Sequence, residues 1–300
     1  MSQKRKEVDG TREPATMRAM KERPTSGTPL SRRFCLVLLH LAEEARRDLD
    51  SLAARPVRAI HALRRRMKNL RALLLLVKPR TPKAARKSIN ALAGSLKDAF
   101  SELRDAHVIS TLRAKFSGRR ESPAKTEITP KAVMRNKVAK ADVTRLTRMV
   151  SKLDLKGLSW TEVFDGYLRS YRAGRKAMKM CKRKPAPETF HEWRRPVKDL
   201  FYQSQALQPL DGMKARRRWA DKLGDRLGML NDLHLLHAET KKSCGSGFLK
   251  DISKTQRALH VGIFKMAAKL FGESPRKIAG ELERCVKFQP ASATLAVRQT

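Results

Sequence analysis

The chain has 300 residues, enough for one large or two medium domains with a buried core. Hydrophobic residues make up 41% and aromatics only 5%, which favours Leu/Ala-rich helices over a β-sandwich. Lys and Arg number 67 against 29 Asp and Glu, a formal net charge of +38. An enzyme for a neutral substrate has no use for that self-repulsion, so the charge points to a polyanion: nucleic acid, an anionic membrane surface or a polymer of phosphate.

Residues 1–29 are polar and charged, with Pro14, Pro24 and Pro29, and read as a disordered basic tail. Apolar residues then recur at helical spacing from Ser31 to near Asp50. Pro56 suits the first turn of the next helix, which runs to Val77 and stops at KPRTP (Lys78 to Pro82). A helix or helix pair fills Lys83 to Phe116. Residues 117–131, SGRRESPAKTEITPK, are rich in Ser, Thr and Pro and read as a linker. Helical patterns follow at about 131–152, 160–182, 187–207, 213–238 and 248–271. No alternating strand pattern stands out. The predicted class is all-α, with a first bundle over 30–116, a second over 132–271 and a C-terminal extension over 272–300.

The four cysteines, Cys35, Cys181, Cys244 and Cys285, form no CxxC and are expected as free thiols in a reducing cytosol. The N-terminus has no apolar signal-like core, and the runs FCLVLLHLA and LLLLV are too short to span a bilayer, so no membrane insertion is expected. HLLH (His234 to His237) lacks a carboxylate or cysteine to complete a metal site. KKSCGSG (Lys241 to Gly247) is no P-loop, because its lysines precede its glycines. No carboxylate cluster suits Mg²⁺, so neither metal nor cofactor is expected.

One motif occurs twice. HALRRRMK (His61 to Lys68) returns 130 residues later as HEWRRPVK (His191 to Lys198), both H-x-x-R-R-x-x-K. With His61 at 0° and about 100° per residue, Arg64, Arg65 and Lys68 lie within about 60° of it, while Leu63, Met67, Leu70, Leu74 and Val77 lie opposite. LRDAHVI (Leu103 to Ile109) likewise resembles LNDLHLL (Leu230 to Leu236), 127 residues on from His107 to His234. Two motifs in the same order at nearly the same offset indicate a duplicated unit, too large for a solenoid repeat, and two helical bundles about a pseudo-twofold axis. A third basic stripe, Arg169, Arg172, Lys176 and Lys179, lines one face of the helix YLRSYRAGRKAMK; its first-half counterpart, with Arg46 and Arg47, is diluted by Glu43 and Glu44.

A lone basic stripe is usually a solvated face. A face repeated with the same Arg, Lys and His choices is not so explained, because solubility does not distinguish Arg from Lys, whereas a phosphate site does: Arg forks onto two oxygens and Lys is a point charge. Asp105 and Asp232 read as helix caps or as groups that orient a nearby cation. Pro196 falls inside the predicted helix and should kink it near Glu192.

The paired H-x-x-R-R-x-x-K helices, the LRD/LND-x-H segments and YRAGRKAM together resemble the CHAD domain, the conserved histidine α-helical domain, over roughly residues 31–271. The resemblance implies two four-helix bundles about a pseudo-twofold axis, with a basic central cavity that binds inorganic polyphosphate, and association with cytoplasmic polyphosphate granules. No ExExK motif of the triphosphate-processing CYTH partner domain is present. The resemblance also implies a site of His61, Arg64, Arg65, Lys68, His191, Arg194, Arg195 and Lys198, joined by Arg169, Arg172, Arg175 and Lys176. Arg175 fits least well, since the helical wheel turns it towards the apolar side. The chain departs from the pattern at Pro196 and at Asn231, where the first half has Arg104. The expected function is non-catalytic polyphosphate binding. The alternative is a general polyanion or non-specific nucleic-acid binder, although the basic faces lack interleaved exposed aromatics. An enzyme is not expected, for want of a nucleophile or metal constellation.

Overall fold

A computed structural model describes residues 29–116, 128–208, 210–240 and 246–287. The predicted tail up to residue 28, linker residues 117–127, most of KKSCGSG and the end of the C-terminal extension lie outside them. Among the described residues, ten α-helices follow in order: α1 Leu30–Asp50, α2 Pro56–Leu76, α3 Lys83–Asp98, α4 Ser101–Phe116, α5 Pro130–Ser151, α6 Trp160–Arg183, α7 Pro187–Ala206, α8 Met213–Thr240, α9 Ser246–Phe271 and α10 Pro275–Lys287. A 3₁₀ turn, Lys78–Arg80, follows α2. No strand occurs among the described residues, so the protein is all-α.

Local chemistry sets the helix starts. Proline opens α2, α5 and α7, where its missing N–H is no loss. The Thr129 hydroxyl caps α5 by accepting from the Ala132 N–H at 3.2 Å. Ser159 and Glu162 close a capping box on α6: the Ser159 hydroxyl accepts from the Glu162 N–H at 3.3 Å, and the Ser159 N–H donates to Glu162 Oε2 at 2.9 Å. The turns before α6 and α8 pass through Gly157 at φ 73° and Gly212 at φ 77°, where a Cβ would be strained.

The helices pack as two rings of like connectivity. In the first, α1 and α3 each pack on both α2 and α5. In the second, α7 and α9 each pack on both α6 and α8. The rings meet along α2, which packs on α7 and on α6. A Cβ on Gly166 of α6 would lie 2.7 Å from Leu76 Cα, so the α6 and α2 backbones touch there. The Gln203 amide of α7 donates to the buried Ala72 carbonyl of α2 at 2.9 Å. One continuous core, including Phe34, Leu38, Met67, Leu70, Trp193 and Leu200, runs through both rings.

Sequence grouping placed residues 132–271 together, but the buried face of α5 (Ala139, Val143, Leu146, Val150) is part of the first ring. An amphipathic stripe says that a helix is covered, not by which neighbour. Helix α4 does the converse. It turns away from α3, packs on α8 and α9 of the second ring, and buries Leu112 in a small cluster with Leu233, Leu236 and Ile252. Helix α10 lies on α6 within the C-terminal extension. Pro196 sits inside α7, which continues through it to Ala206.

Candidate polyanion-binding site

The two repeated motifs lie on α2 and α7, the helices that join the rings. Their burial repeats as well. Leu63, Met67 and Leu70 are buried as are Trp193, Val197 and Leu200, while Arg64, Lys68, Arg194 and Lys198 are half-buried and Arg65 and Arg195 are exposed. The apolar stripes anchor both helices, so their cations gather where α2, α4, α7 and α8 meet.

Lys68 is the centre of the group. Burial, then Arg194, Arg64, Lys97 and Arg104, push its ammonium down to about 7, so cations from both rings surround it. Arg64 Nη1 donates to the Lys97 carbonyl at 2.6 Å and lies 3.5 Å from Asp98 Oδ1. Arg104 of α4 bonds Asp105 at 2.6 Å and reaches Asp232 of α8 at 2.8 Å. Asp105 and Asp232 thus orient a cation. Burial also lowers the Arg194 guanidinium, and its Nε is buried without an acceptor. His61, at the exposed edge, is lowered first by partial burial and then by Arg65, Lys68, Arg104 and Arg64. Both causes favour its neutral ring.

Two glycines give the second-half cations their places. A Cβ on Gly228 of α8 would lie 2.7 Å from Arg194 Nη2, and one on Gly224 would lie 2.8 Å from Lys198 Cε. The two side chains therefore lie flat across α8, one turn apart. Lys198 Nζ is 3.0 Å from Asp225 and 3.5 Å from Asp221. His191 Nδ1 donates to Asn231 Oδ1 at 2.9 Å, so the residue at the departure from the pattern orients the imidazole. Arg65 and Arg195 flank the crossing of α2 and α7. Burial raises the Tyr202 phenol of α7 to about 12 with Arg65 and Arg194 opposing, and raises Asp199 to about 6 against Arg195 and Arg71.

The α6 stripe is placed differently. Arg175 Nη1 donates to the Glu273 carbonyl at 2.7 Å, beside the Tyr171 hydroxyl, which donates to the same oxygen at 2.8 Å. This agrees with its position towards the apolar side of the wheel. Arg169, Arg172 and Lys176 are exposed on α6, and no described contact ties them to the α2–α7 cations. Arg104 and Lys97 join the cations around Lys68, and the paired motifs alone do not reveal them. The signal for Arg104 was its place in LRDAH, but its reach into the second ring depends on where α4 goes.

Substituting Gly228 by alanine tests this geometry. The clashing atoms end a flexible side chain, and alanine favours the helix, so the melting free energy should stay within about 1 kcal/mol. Arg194 must move, so polyanion affinity measured by calorimetry should fall several-fold. Unchanged affinity would remove Arg194 from the site.

Among the described residues, no three or more His, Cys, Asp or Glu side chains group as a metal site, and no helix is long and apolar enough to cross a membrane. No curated protein and no solved structure was found to match the chain. The family model for the CHAD domain matches residues 35–240, α1 through α8. That match spans well over half of the chain and includes both H-x-x-R-R-x-x-K helices, and the chain belongs to the CHAD domain family.

Proposed function

We propose that the cations gathered by α2, α4, α7 and α8 bind inorganic polyphosphate, without catalysis, and that the two rings arose by duplication of one unit. The observation that carries this reading is Lys68, half-buried among Arg64, Lys97, Arg104 and Arg194. Like charges held together at a loss of solvation weaken a fold unless a counter-charge arrives. The unpaired Nε of Arg194 is a donor in want of an acceptor. Polyphosphate offers closely spaced oxygens and no base edges, which suits Arg forks and Lys points at a fixed spacing. Arg65, Arg195, Lys198, His61 and His191 extend the track along the two helices. Arg169, Arg172 and Lys176 would engage a longer chain passing over α6. Such binding would tether the protein to polyphosphate granules in the cytoplasm.

A second reading has one observation in its favour. Trp219 of α8 is half-exposed between Arg218, 5.7 Å away, and Lys222, 5.3 Å away. A cation-flanked indole is a stacking platform for a nucleic-acid base. Titrating short and long polyphosphate over a salt series, with duplex and single-stranded DNA as competitors, separates the two. Binding that persists at physiological salt and resists DNA is expected. Binding that yields to DNA at matched salt would make the protein a general polyanion attractor.

A further inference from the structure

Helix α3 ends at Asp98 and α4 starts at Ser101. The repeated order sets this pair opposite α8, which runs unbroken from Met213 to Thr240. Nothing in the intervening sequence demands the break. LKDAFSELR (Leu96 to Arg104) holds neither glycine nor proline. Ala99 is already helical at φ −52° and ψ −32°, and the Arg104 N–H already bonds the Phe100 carbonyl at 3.1 Å.

Two side chains of the proposed site hold the break open instead. In an unbroken helix the Ser101 N–H would satisfy the Lys97 carbonyl. Here Arg64 supplies the donor, at 2.6 Å. Downstream, Arg104 ties α4 to Asp232 of the second ring at 2.8 Å. Further holds on α4 include the small cluster of Leu112, Leu233, Leu236 and Ile252, separate from the main core, with Phe116 edge-on to Phe248 at 6.2 Å, and Glu102 in its first turn, which accepts from Arg135 of α5 at 3.2 Å. A cleft of about 560 Å³ opens between the α3–α4 break and α5, bordered by Leu96, Ala99, Glu102 of the first turn of α4, Met134 and Val138. The second ring closes the matching space, with Arg226 of α8 lying against Gly262 of α9.

We propose that the α3–α4 break is a ligand-sensitive hinge: a polyanion on the α2–α7 cations takes Arg64 from the Lys97 carbonyl and Arg104 from Asp232, and α4 then continues α3 as one helix. The inference rests on the polyphosphate reading above. Its driving force is differential affinity. In the broken state Arg64 is occupied by the Lys97 carbonyl and Arg104 Nη2 by Asp232, whereas in the straight state the Lys97 carbonyl has its backbone partner, and Arg64 and the Nη2 of Arg104, still steadied by Asp105, are released to the ligand. A polyanion therefore selects the straight state.

Pulsed electron–electron distance measurements test this, in a background with the four native cysteines replaced by alanine. Spin labels at Lys87→Cys and Lys115→Cys, exposed on α3 and α4, report the hinge. Labels at Lys115→Cys and Lys254→Cys, exposed on α4 and α9, report release from the second ring. With saturating long-chain polyphosphate both distances should lengthen, the first towards about 42 Å, the Cα separation of an unbroken helix between those positions. Without ligand, Asp232→Asn should move part of the population the same way, since it frees α4 but keeps every site cation. Calorimetric binding to the labelled protein with unchanged distances would overturn the hinge and leave the site standing. No binding at all would overturn both.

Discussion

Replacing Arg64 and Arg194 together by alanine is expected to weaken polyphosphate binding by about a hundredfold or more at physiological salt. Each guanidinium supplies charge-assisted hydrogen bonds of about 1.5–3 kcal/mol. They come from opposite rings onto the same Lys68, so a chain bridging the junction loses contacts on both sides at once. The salt dependence should flatten too, with the slope of log affinity against log salt falling by about 2 as two phosphate contacts disappear. The fold should tolerate the change. Arg194 is a half-buried cation with an unpaired Nε, and its removal relieves repulsion on Lys68. Arg64→Ala leaves the Lys97 carbonyl without its donor, a cost of about 1 kcal/mol visible in urea titration. The charge-matched control is Arg145→Ala with Arg148→Ala on the exposed face of α5, outside the proposed track. Equal loss from the control would show that the ligand responds to total charge, and would dissolve the distinction between site and surface.

The control also marks the limit of what the sequence could reveal. Helical periodicity located the elements within a residue or two, because every described helix of the two rings buries a stripe on the main core and proline, threonine or a serine–glutamate box sets several of the starts. The paired motifs located α2 and α7, since an Arg or Lys choice repeated at one offset is unlike random surface charge. Partnership was not legible. The stripe on α5 is satisfied equally by either ring, and only the packing assigns it to α1 and α3. The crossing of α4 was hidden for the same reason, and with it the role of Arg104, whose partner Asp232 lies 128 residues away. The wheel did hint that Arg175 differs from its neighbours, but the Glu273 carbonyl that takes it belongs to the turn before α10, for which no periodicity was noted. Pro196 interrupts the ladder of hydrogen bonds yet leaves α7 one element, because Trp193, Val197 and Leu200 are buried on both sides of it. Residue type and spacing thus disclose a face, while the neighbour of that face is decided by long-range packing that no local pattern encodes.

Lys68 ties stability to function, and Lys68→Met should raise the first while lowering the second. In the unfolded chain this lysine titrates near its ordinary 10.5, and in the fold it is held down to about 7. The depressed value fixes the sign. Below pH 7 both states are protonated and the fold bears the full penalty of the charge. Between pH 7 and 10.5 the unfolded state holds the extra proton, so the stability of the unmodified protein should rise with pH across that window. Methionine, of similar length and uncharged, should therefore stabilise by about 2–4 kcal/mol at pH 6, discounted from the full shift for the solvent that half-burial admits. The gain should fade towards pH 10. Urea titrations of both proteins over that range check this, and an equal gain at every pH would assign the effect to packing. Polyphosphate should reverse the balance. Its oxygens return the counter-charge, so binding takes up a proton at Lys68 and tightens as pH falls towards 7. His61, lowered by burial and Arg65, adds only on the more acid side. Lys68→Met should thus bind about tenfold more weakly at pH 6.5, and the proton uptake of the unmodified protein above pH 7, read by calorimetry in buffers of different ionisation enthalpy, should vanish. Proton uptake that survives the substitution would move the titrating group elsewhere in the cluster, and His61→Gln would be the next variant to separate.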